Sequence, residues 1–169
     1  GSILIVDDQQ SMCEMLETDL RLRGHGTQWC QSAAAALSIV REQDIDVVLT
    51  DVRMPGTSGL QLCDELHRTR PDIPVVVMTA FGSLETAVAA MRAGAYDFIT
   101  KPVELDLLAL TIDRAVERQQ LGRQVKLLTE QQSSPRPFGK LLGDSPAMHR
   151  IYDQLPRLAA SDASVLITG

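Results

Sequence analysis

Apolar residues follow two different spacings along the chain, and segments of the two kinds alternate. Short runs rich in apolar residues, each bounded by polar or turn-forming residues, predict five strands within ILIV (3–6), GTQWC (26–30), IDVVLTD (45–51), IPVVVMTA (73–80) and AYDFITKP (95–102). Between these runs, apolar residues recur at helical spacing, which predicts helices that begin near Ser11, Ser32, Ser58, Ser83 and Glu104. Serine is a favoured helix cap, and Gly24 and Gly94 stand where the first and fourth helices should end.

The order of these elements indicates an α/β fold. Strands that are apolar throughout are buried on both faces, which is typical of parallel sheets. Helices between the strands supply the right-handed crossovers that parallel strands need. We therefore expect a five-stranded parallel sheet, doubly wound in the flavodoxin-like manner, with helices on both faces. In such sheets, functional residues lie just outside the carboxyl ends of the strands.

Charged and hydroxyl side chains stand at the carboxyl ends of four predicted strands. They are Asp7 and Asp8 after the first, Asp51 at the end of the third, Thr79 at the end of the fourth and Lys101 at the end of the fifth. A parallel sheet would bring them to one edge, where three carboxylates repel one another unless a cation joins them. Oxygen ligands without His or Cys favour Mg²⁺ or Mn²⁺ over zinc.

A site of this composition can hold a phosphoryl group. One carboxylate can attack phosphorus, while a metal ion, the lysine and the hydroxyl bind the phosphoryl oxygens. Each residue also has an ordinary structural explanation, with Asp7 or Asp8 as a helix cap, Thr79 as a strand residue and Lys101 as a solvated side chain. Their placement at four strand ends of one sheet favours the functional interpretation.

Charge, cysteine and histidine spacing, and the lengths of the apolar runs disfavour several classes of function. The net charge of −6 and a pI near 5.0 disfavour direct binding to nucleic acid. The cysteines and histidines are scattered, without the spacing of a zinc site or a disulfide framework. No apolar run reaches the ~18 residues of a membrane span, and no signal peptide opens the sequence. We expect a cytoplasmic protein without a membrane association, and we interpret Gly1-Ser2 as an expression remnant that alters the native start.

The segments ILIVDD, LTDVRMPGTSG, VVVMTAFG and YDFITKP resemble, in this order, the receiver domain of two-component response regulators. The resemblance covers residues 3–118. It implies that Asp51 is the phosphoacceptor, which takes a phosphoryl group from the phosphohistidine of a sensor histidine kinase. It also implies that Asp8, Asp51 and the backbone carbonyl of Arg53 bind Mg²⁺ directly, and that Asp7 acts at the metal partly through water.

Three further roles are implied by the same resemblance. Thr79 would be the switch hydroxyl that moves toward the phosphoryl group, and Lys101 would contact a phosphoryl oxygen. Phe98 would be the switch aromatic, which turns inward when Thr79 moves. An aromatic residue packed between a strand and the adjacent helix is the structural alternative for Phe98.

Residues 119–140 are expected to form a linker. The helical pattern that begins near Glu104 can continue through Gly122, and Leu121, Val125 and Leu128 follow the 4-3 spacing of a coiled-coil seam. We favour a dimerising linker helix, with a frayed polar extension as the alternative. The segment SSPRPFG then predicts a Pro-rich loop.

Residues 141–169 resemble the opening of the AAA+ ATPase domain of sigma-54-dependent transcriptional activators of the nitrogen regulatory protein C type. Ser145 and Pro146 predict a helix start, and SVLITG predicts a strand. Gly169 would be the first glycine of a Walker A loop, but the lysine and hydroxyl of that loop are absent, so the nucleotide site is incomplete. The resemblance implies that ATP, sigma-54 RNA polymerase and DNA are engaged only through domains of the full-length protein.

These expectations describe a self-phosphorylating switch rather than an enzyme. Phosphorylation of Asp51 would change homodimer packing through the receiver and linker and so control a transcriptional activator. One alternative is an aspartyl-phosphate phosphatase or phosphotransferase, against which Arg53 counts, because such phosphohydrolases place a general acid at that position. A stand-alone adaptor similar to the chemotaxis response regulator is a second alternative, disfavoured by the long helix and tail. A flavodoxin-like cofactor module would need a phosphate-cradling loop after the first strand.

Overall fold

The computed structural model describes residues 1–80, 84–133 and 145–159, and it confirms the predicted order of strands and helices there. The strands are β1 (Ser2–Val6), β2 (Gly26–Cys30), β3 (Val47–Asp51), β4 (Val75–Thr79) and β5 (Asp97–Thr100). The helices are α1 (Gln10–Leu22), α2 (Ala33–Glu42), α3 (Gly59–Thr69), α4 (Leu84–Arg92), α5 (Leu105–Ser133) and α6 (Pro146–Ala159). The predicted cap Ser83, the Pro-rich loop, the strand SVLITG and Gly169 lie outside the described residues.

All five strands pair in parallel, in the order β2-β1-β3-β4-β5. The parallel, doubly wound sheet expected from the sequence is therefore confirmed. The chain first adds β2 on one side of β1 and then adds β3 to β5 on the other. This change of direction opens a crevice at the carboxyl ends of β1 and β3, which is where sheets of this topology bind ligands.

Each face of the sheet has its own hydrophobic core, because successive strand residues point to opposite faces. The first core joins inward residues of β1, β3 and β4 to α2, α3 and α4, and it includes Leu4, Val6, Val48, Val77, Ala36, Leu62, Leu66 and Ala90. The second core joins the other strand residues to α1 and α5, and it includes Ile3, Ile5, Leu49, Met78, Ile99, Leu16, Leu20, Leu108 and Ile112. The sheet is thereby covered on both sides, which explains its continuous apolar strands.

Most of the helix caps and end glycines in the described residues lie where the sequence predicts them. Ser32 accepts a hydrogen bond from the Ala35 N–H, and Ser58 forms a capping box with Gln61. Gly94 follows α4 with φ of +85°, a conformation that favours glycine.

The predicted cap Ser11 is wrong, because α1 begins one residue before it, at Gln10. Gln9 occupies the cap position without a capping hydrogen bond from its side chain. The Gln9 N–H instead donates to the Asp7 carboxylate at 2.9 Å, so a residue of the candidate site fixes the entry to this helix.

Helix α5 continues without interruption past Gly122 to Ser133. The first compact unit runs from Gly1 to Gln124, beyond the receiver boundary predicted at Arg118. Gln119 is buried, and the Arg123 guanidinium lies 3.2 Å from a carboxylate oxygen of Asp46, just before β3. The first turns of the predicted linker therefore belong to the same compact unit as the sheet.

The second unit runs from Val125 to Gly169 and contains α6. The Met148 N–H donates to the Ser145 hydroxyl at 3.3 Å, in keeping with the predicted helix start. None of the helices in the described parts of the chain combines the length and the apolar character of a membrane-spanning segment.

Leu108 and Leu107 provide a matched test of the second core, because Leu108 is fully buried and its neighbour is half exposed. Leu108→Ala should lower the free energy of unfolding by about 2–5 kcal/mol, since it removes buried methyl groups and leaves a cavity. Leu107→Ala should change it by less than about 0.5 kcal/mol. Urea unfolding monitored by circular dichroism measures both, and equal losses would contradict the described orientation of α5.

Candidate functional site

Asp51 is the last residue of β3 and lies almost entirely out of solvent. The Val52 N–H still donates to the Met78 carbonyl of β4 at 2.8 Å, and the chain then turns away from the sheet and is closed by the Gly59 N–H, which donates to the Val52 carbonyl at 3.0 Å. Gly56 in this turn has a φ of +80°, a conformation that favours glycine. The turn ends the strand and leaves the Asp51 carboxylate at the edge of the sheet.

The Asp7 carboxylate is held on both of its oxygens. Oδ1 accepts the Gln9 N–H at 2.9 Å, and Oδ2 accepts the Lys101 ammonium at 2.8 Å. Asp7 is fully buried, and such burial of a charge requires these partners. The neighbouring Asp8 is half-buried, and its carboxylate makes no hydrogen bond to the described residues. Asp8 is therefore the carboxylate most available to a ligand.

Lys101 joins the two buried carboxylates. Its ammonium lies 2.8 Å from Asp7 Oδ2 and 3.2 Å from Asp51 Oδ1, so the end of β5 is linked electrostatically to the ends of β1 and β3. The Lys101 N–H also donates to the Thr79 carbonyl at 2.7 Å, which places the buried Thr79 beside it. The sequence prediction that these side chains meet at one edge agrees with this arrangement.

Burial and charge act in opposite directions on the Asp51 carboxyl. Burial raises its pKa, while the Lys101 ammonium and the nearby Arg53 backbone lower it, and the net result is a raised pKa. For Lys101, burial opposes the charged form, but the contacts to Asp7 and Asp51 outweigh it and raise the pKa of the ammonium. The lysine is thus held as a cation between two carboxylates.

Three carboxylates of the site suit a hard divalent cation. Asp7, Asp8 and Asp51 each offer an oxygen within 4.8 Å of the other two, and no other such group of acidic, His or Cys side chains occurs in the described residues. Mg²⁺ takes carboxylate and carbonyl oxygens, whereas zinc prefers nitrogen and sulfur. The donor set fits magnesium, as expected from the sequence.

Phe98 lies on the same face of the sheet as Thr79. It pairs in register with Val77 of the neighbouring strand, two residues before Thr79. The ring is partly buried and packs against the core beneath α2, α3 and α4. This placement is compatible with both interpretations of Phe98, as a packing residue and as a partner of Thr79.

One contribution to the site was missed by the sequence reasoning. Gly59 was not singled out, although a Cβ there would lie 1.9 Å from the Asp51 carbonyl oxygen. The segment TSG carries no signal of this contact, because the close approach depends on how α3 packs against the end of β3.

Comparison with known proteins identifies the family of this chain. The profile of the response regulator receiver domain matches residues 3–113. This chain belongs to the response regulator receiver family. Receivers of this family bind Mg²⁺ at an acidic pocket, which corresponds here to the aspartate cluster. As a receiver, the chain is a phosphoacceptor module of a two-component system.

Relatives and solved structures extend the likeness beyond the receiver. The regulatory protein AtoC of Escherichia coli is 38% identical over 99% of this chain, which covers 36% of AtoC. Crystalline NtrX from Brucella abortus in complex with ADP is 35% identical, with a TM-score of 0.69 over 94% of this chain and 34% of NtrX. A response regulator receiver domain from Clostridium thermocellum is 32% identical, with a TM-score of 0.68 over 72% of this chain and 98% of its own length. The chain thus spans about a third of the curated relatives it matches.

Gly59 and Gly122 form a matched pair of substitutions with opposite expected signs. Gly59→Ala should destabilise the receiver by about 1–3 kcal/mol, because the new methyl group collides with the rigid Asp51 backbone. A Cβ at Gly122 meets nothing within 4 Å, so Gly122→Ala should stabilise α5 by about 0.5–1 kcal/mol. Thermal unfolding of the two variants measures this, and a neutral Gly59→Ala would show that Asp51 is not fixed by the close approach of α3.

Proposed function

We propose that this receiver is phosphorylated on Asp51 by the phosphohistidine of a sensor histidine kinase, with Mg²⁺ at the aspartate cluster. The observation that carries the proposal is the Lys101 ammonium, which contacts Asp51 and Asp7 beside the one group of acidic metal-ligand candidates among the described residues. A buried carboxylate with a fixed cation beside it can accept a phosphoryl group, because that cation stabilises the charge that the group brings.

The transfer forms one bond and breaks another. A carboxylate oxygen of Asp51 attacks phosphorus, and the bond from phosphorus to the imidazole nitrogen of the donor breaks. The electron pair of that bond stays on the imidazole, which takes up a proton from solvent. Lys101 can then turn its ammonium toward a phosphoryl oxygen, and the Thr79 hydroxyl can donate to a second one.

The metal would be held by Asp8 and Asp51, by the backbone carbonyl of Arg53, and by Asp7 partly through water. The bound cation would neutralise negative charge on the phosphoryl oxygens during transfer. Asp7 is already occupied by Lys101 and the Gln9 N–H, which supports an indirect role for it. Mn²⁺ has the same preference for oxygen ligands and would replace Mg²⁺ at this site.

Arg53 favours a stored phosphoryl group over rapid turnover. It is exposed, two residues beyond Asp51, and its guanidinium stays charged at any physiological pH. A general acid at this position would protonate a leaving group, which arginine does not do. The proposed product is therefore an acyl phosphate that persists as a signal, rather than the intermediate of a phosphatase.

The signal would leave the site through Thr79 and Phe98. A phosphoryl group adds about two negative charges and new acceptor oxygens at Asp51. Movement of Thr79 toward it would free space on the face of the sheet that Phe98 shares. Inward rotation of Phe98 would then change the surface of α4 and β5.

Substitution of the phosphoacceptor tests the proposal. With Mg²⁺ and acetyl phosphate, the wild-type chain should gain the mass of one phosphoryl group, and Asp51→Ala should gain none. The matched control is Asp64→Ala, which removes an exposed carboxylate of α3 and should keep wild-type labelling. Intact-protein mass spectrometry measures all three.

Chelation of Mg²⁺ should also abolish the adduct on the wild-type chain. An Asp51→Ala variant that still gains a phosphoryl group would contradict the assignment of Asp51 as the phosphoacceptor. Rapid release of free phosphate over many turnovers would instead favour an enzyme.

The relatives support the wider proposal that this receiver controls a sigma-54-dependent transcriptional activator in the cytoplasm. The likeness to AtoC and to NtrX continues past residue 118, through the linker and the segment that resembles an ATPase domain. The helix α5 carries exposed Leu121, Val125 and Leu128 at the spacing of a coiled-coil seam. We propose that these residues pair in a homodimer, whose packing responds to phosphorylation. ATP, polymerase and DNA would be engaged by other domains of the full-length protein.

Two neighbouring substitutions test the dimer. Val125→Glu places a carboxylate in the proposed seam and should weaken dimerisation at least about tenfold, because burial of an unpaired charge costs more than about 1.4 kcal/mol. Lys126→Glu is the control, since it changes an exposed residue outside the 4-3 pattern. Sedimentation equilibrium measures both, and a wild-type chain that stays monomeric at all concentrations would refute the dimer.

A further inference from the structure

The loop that carries the acidic pair is held from one side by the connection between β2 and α2. The Asp7 N–H donates to the Cys30 carbonyl at 3.3 Å, which extends the pairing of β1 and β2 by one residue. Immediately after Cys30, the Gln31 side-chain amide donates to the Asp8 carbonyl at 3.1 Å. Two successive residues of this connection therefore fix the two successive aspartates.

The two aspartates depend on this connection to different degrees. Asp7 is anchored through its own carboxylate, which bonds to the Gln9 N–H and to Lys101. The Asp8 carboxylate has no hydrogen-bond partner among the described residues, so its direction follows from the orientation of its backbone. Two side chains hold the peptide group between Asp8 and Gln9: the Gln31 amide bonds its carbonyl at 3.1 Å, and the Asp7 carboxylate bonds its N–H at 2.9 Å.

The backbone that carries the Gln31 side chain is held in place by its neighbours. The Cys30 thiol donates to the Ser32 carbonyl at 3.6 Å. At the start of α2, the Ser32 hydroxyl accepts a hydrogen bond from the Ala35 N–H at 3.3 Å. The backbone on both sides of Gln31 is therefore restrained by the end of a strand and by a helix cap. Only the side-chain torsions of Gln31 have to be ordered for the amide to reach Asp8.

We propose that Gln31 is a positioning residue of the magnesium site, which it serves by orienting the Asp8 peptide. The inference rests on the proposed role of Asp8 as a metal ligand. Loss of the Gln31 amide leaves the peptide held only at its N–H end, by Asp7, so its carbonyl end moves more and the Asp8 carboxylate spends less time directed at the metal. Hydrogen bonds that orient metal ligands typically change metal affinity 10- to 100-fold. For a partly solvated bond we expect about three- to tenfold.

Gln31→Ala and Gln31→Met test the inference, because the first removes the side chain and the second keeps its length without a donor. Gln28→Ala is the matched control, since Gln28 lies on β2 and its amide bonds to Gln43 at 2.9 Å, away from the aspartates. Two-dimensional NMR of the full chain, titrated with MgCl₂ and followed at the amides of Asp8 and Val52, gives the affinity. The thermal midpoint without Mg²⁺ gives the stability of each variant.

Both Gln31 variants should bind Mg²⁺ about three- to tenfold more weakly than wild type, with Gln28→Ala unchanged. Their thermal midpoints without Mg²⁺ should stay within about 3 °C of wild type. Wild-type affinity in the Gln31 variants overturns the positioning role alone. An equal loss in Gln28→Ala, or a loss that follows a fall in the midpoint, shows a structural effect and also overturns it. A wild-type chain without saturable Mg²⁺ binding overturns the proposed metal site and this inference together.

Discussion

The contact of one ammonium with two buried carboxylates is the constraint on which the rest of the site depends. Lys101 lies 2.8 Å from Asp7 and 3.2 Å from Asp51, and without it two carboxylates would face each other in a low-dielectric edge of the sheet. Breaking such a buried pair leaves an uncompensated charge, which costs far more than loss of a surface ion pair. The ends of β1, β3 and β5 can therefore stay together only while the lysine, a metal ion or a proton balances the charge. Addition of a phosphoryl group changes that balance directly.

Backbone packing supplies the precision that electrostatics does not. Gly59 lets α3 approach so closely that any side chain there would strike the Asp51 carbonyl, and the Met78 carbonyl holds the following residue. Asp51, the proposed phosphoacceptor, therefore stands on a backbone fixed from two sides, while the Asp8 carboxylate is left without a partner among the described residues. A fixed phosphoacceptor beside a more adjustable carboxylate would suit the proposed transfer from an external phosphodonor. Such a transfer would need no rearrangement of the core.

The sequence predicted the sheet and the five charged or hydroxyl residues of the site because both follow from short-range patterns. Apolar runs define the strands, and a strand that ends in Asp51 or Lys101 places that residue at the carboxyl edge whatever the details of packing. The contributions of Gly59, Gln31 and the Gln9 N–H could not be predicted in this way. Each depends on a distance between segments that are remote in the chain or on the direction of a peptide group, and neither quantity is encoded by residue type. The wrong helix cap at Ser11 has the same origin.

Helix α5 runs from the carboxyl end of β5 to the start of β3 and so gives a physical route from the site toward the linker. Helix α5 begins four residues after Lys101, packs on the sheet through Leu108 and Ile112, and ends its contact where Arg123 meets Asp46. Asp46 immediately precedes β3, whose last residue is Asp51. Strand and helix are thus joined at both ends, by Lys101 at one and by Arg123 at the other. A packed frame of this kind has little compressibility, so a displacement at one end of it can be transmitted to the other. Leu121, the first residue of the proposed seam, is exposed on α5 two residues before Arg123, so a displacement of this end of the helix would move the start of the seam.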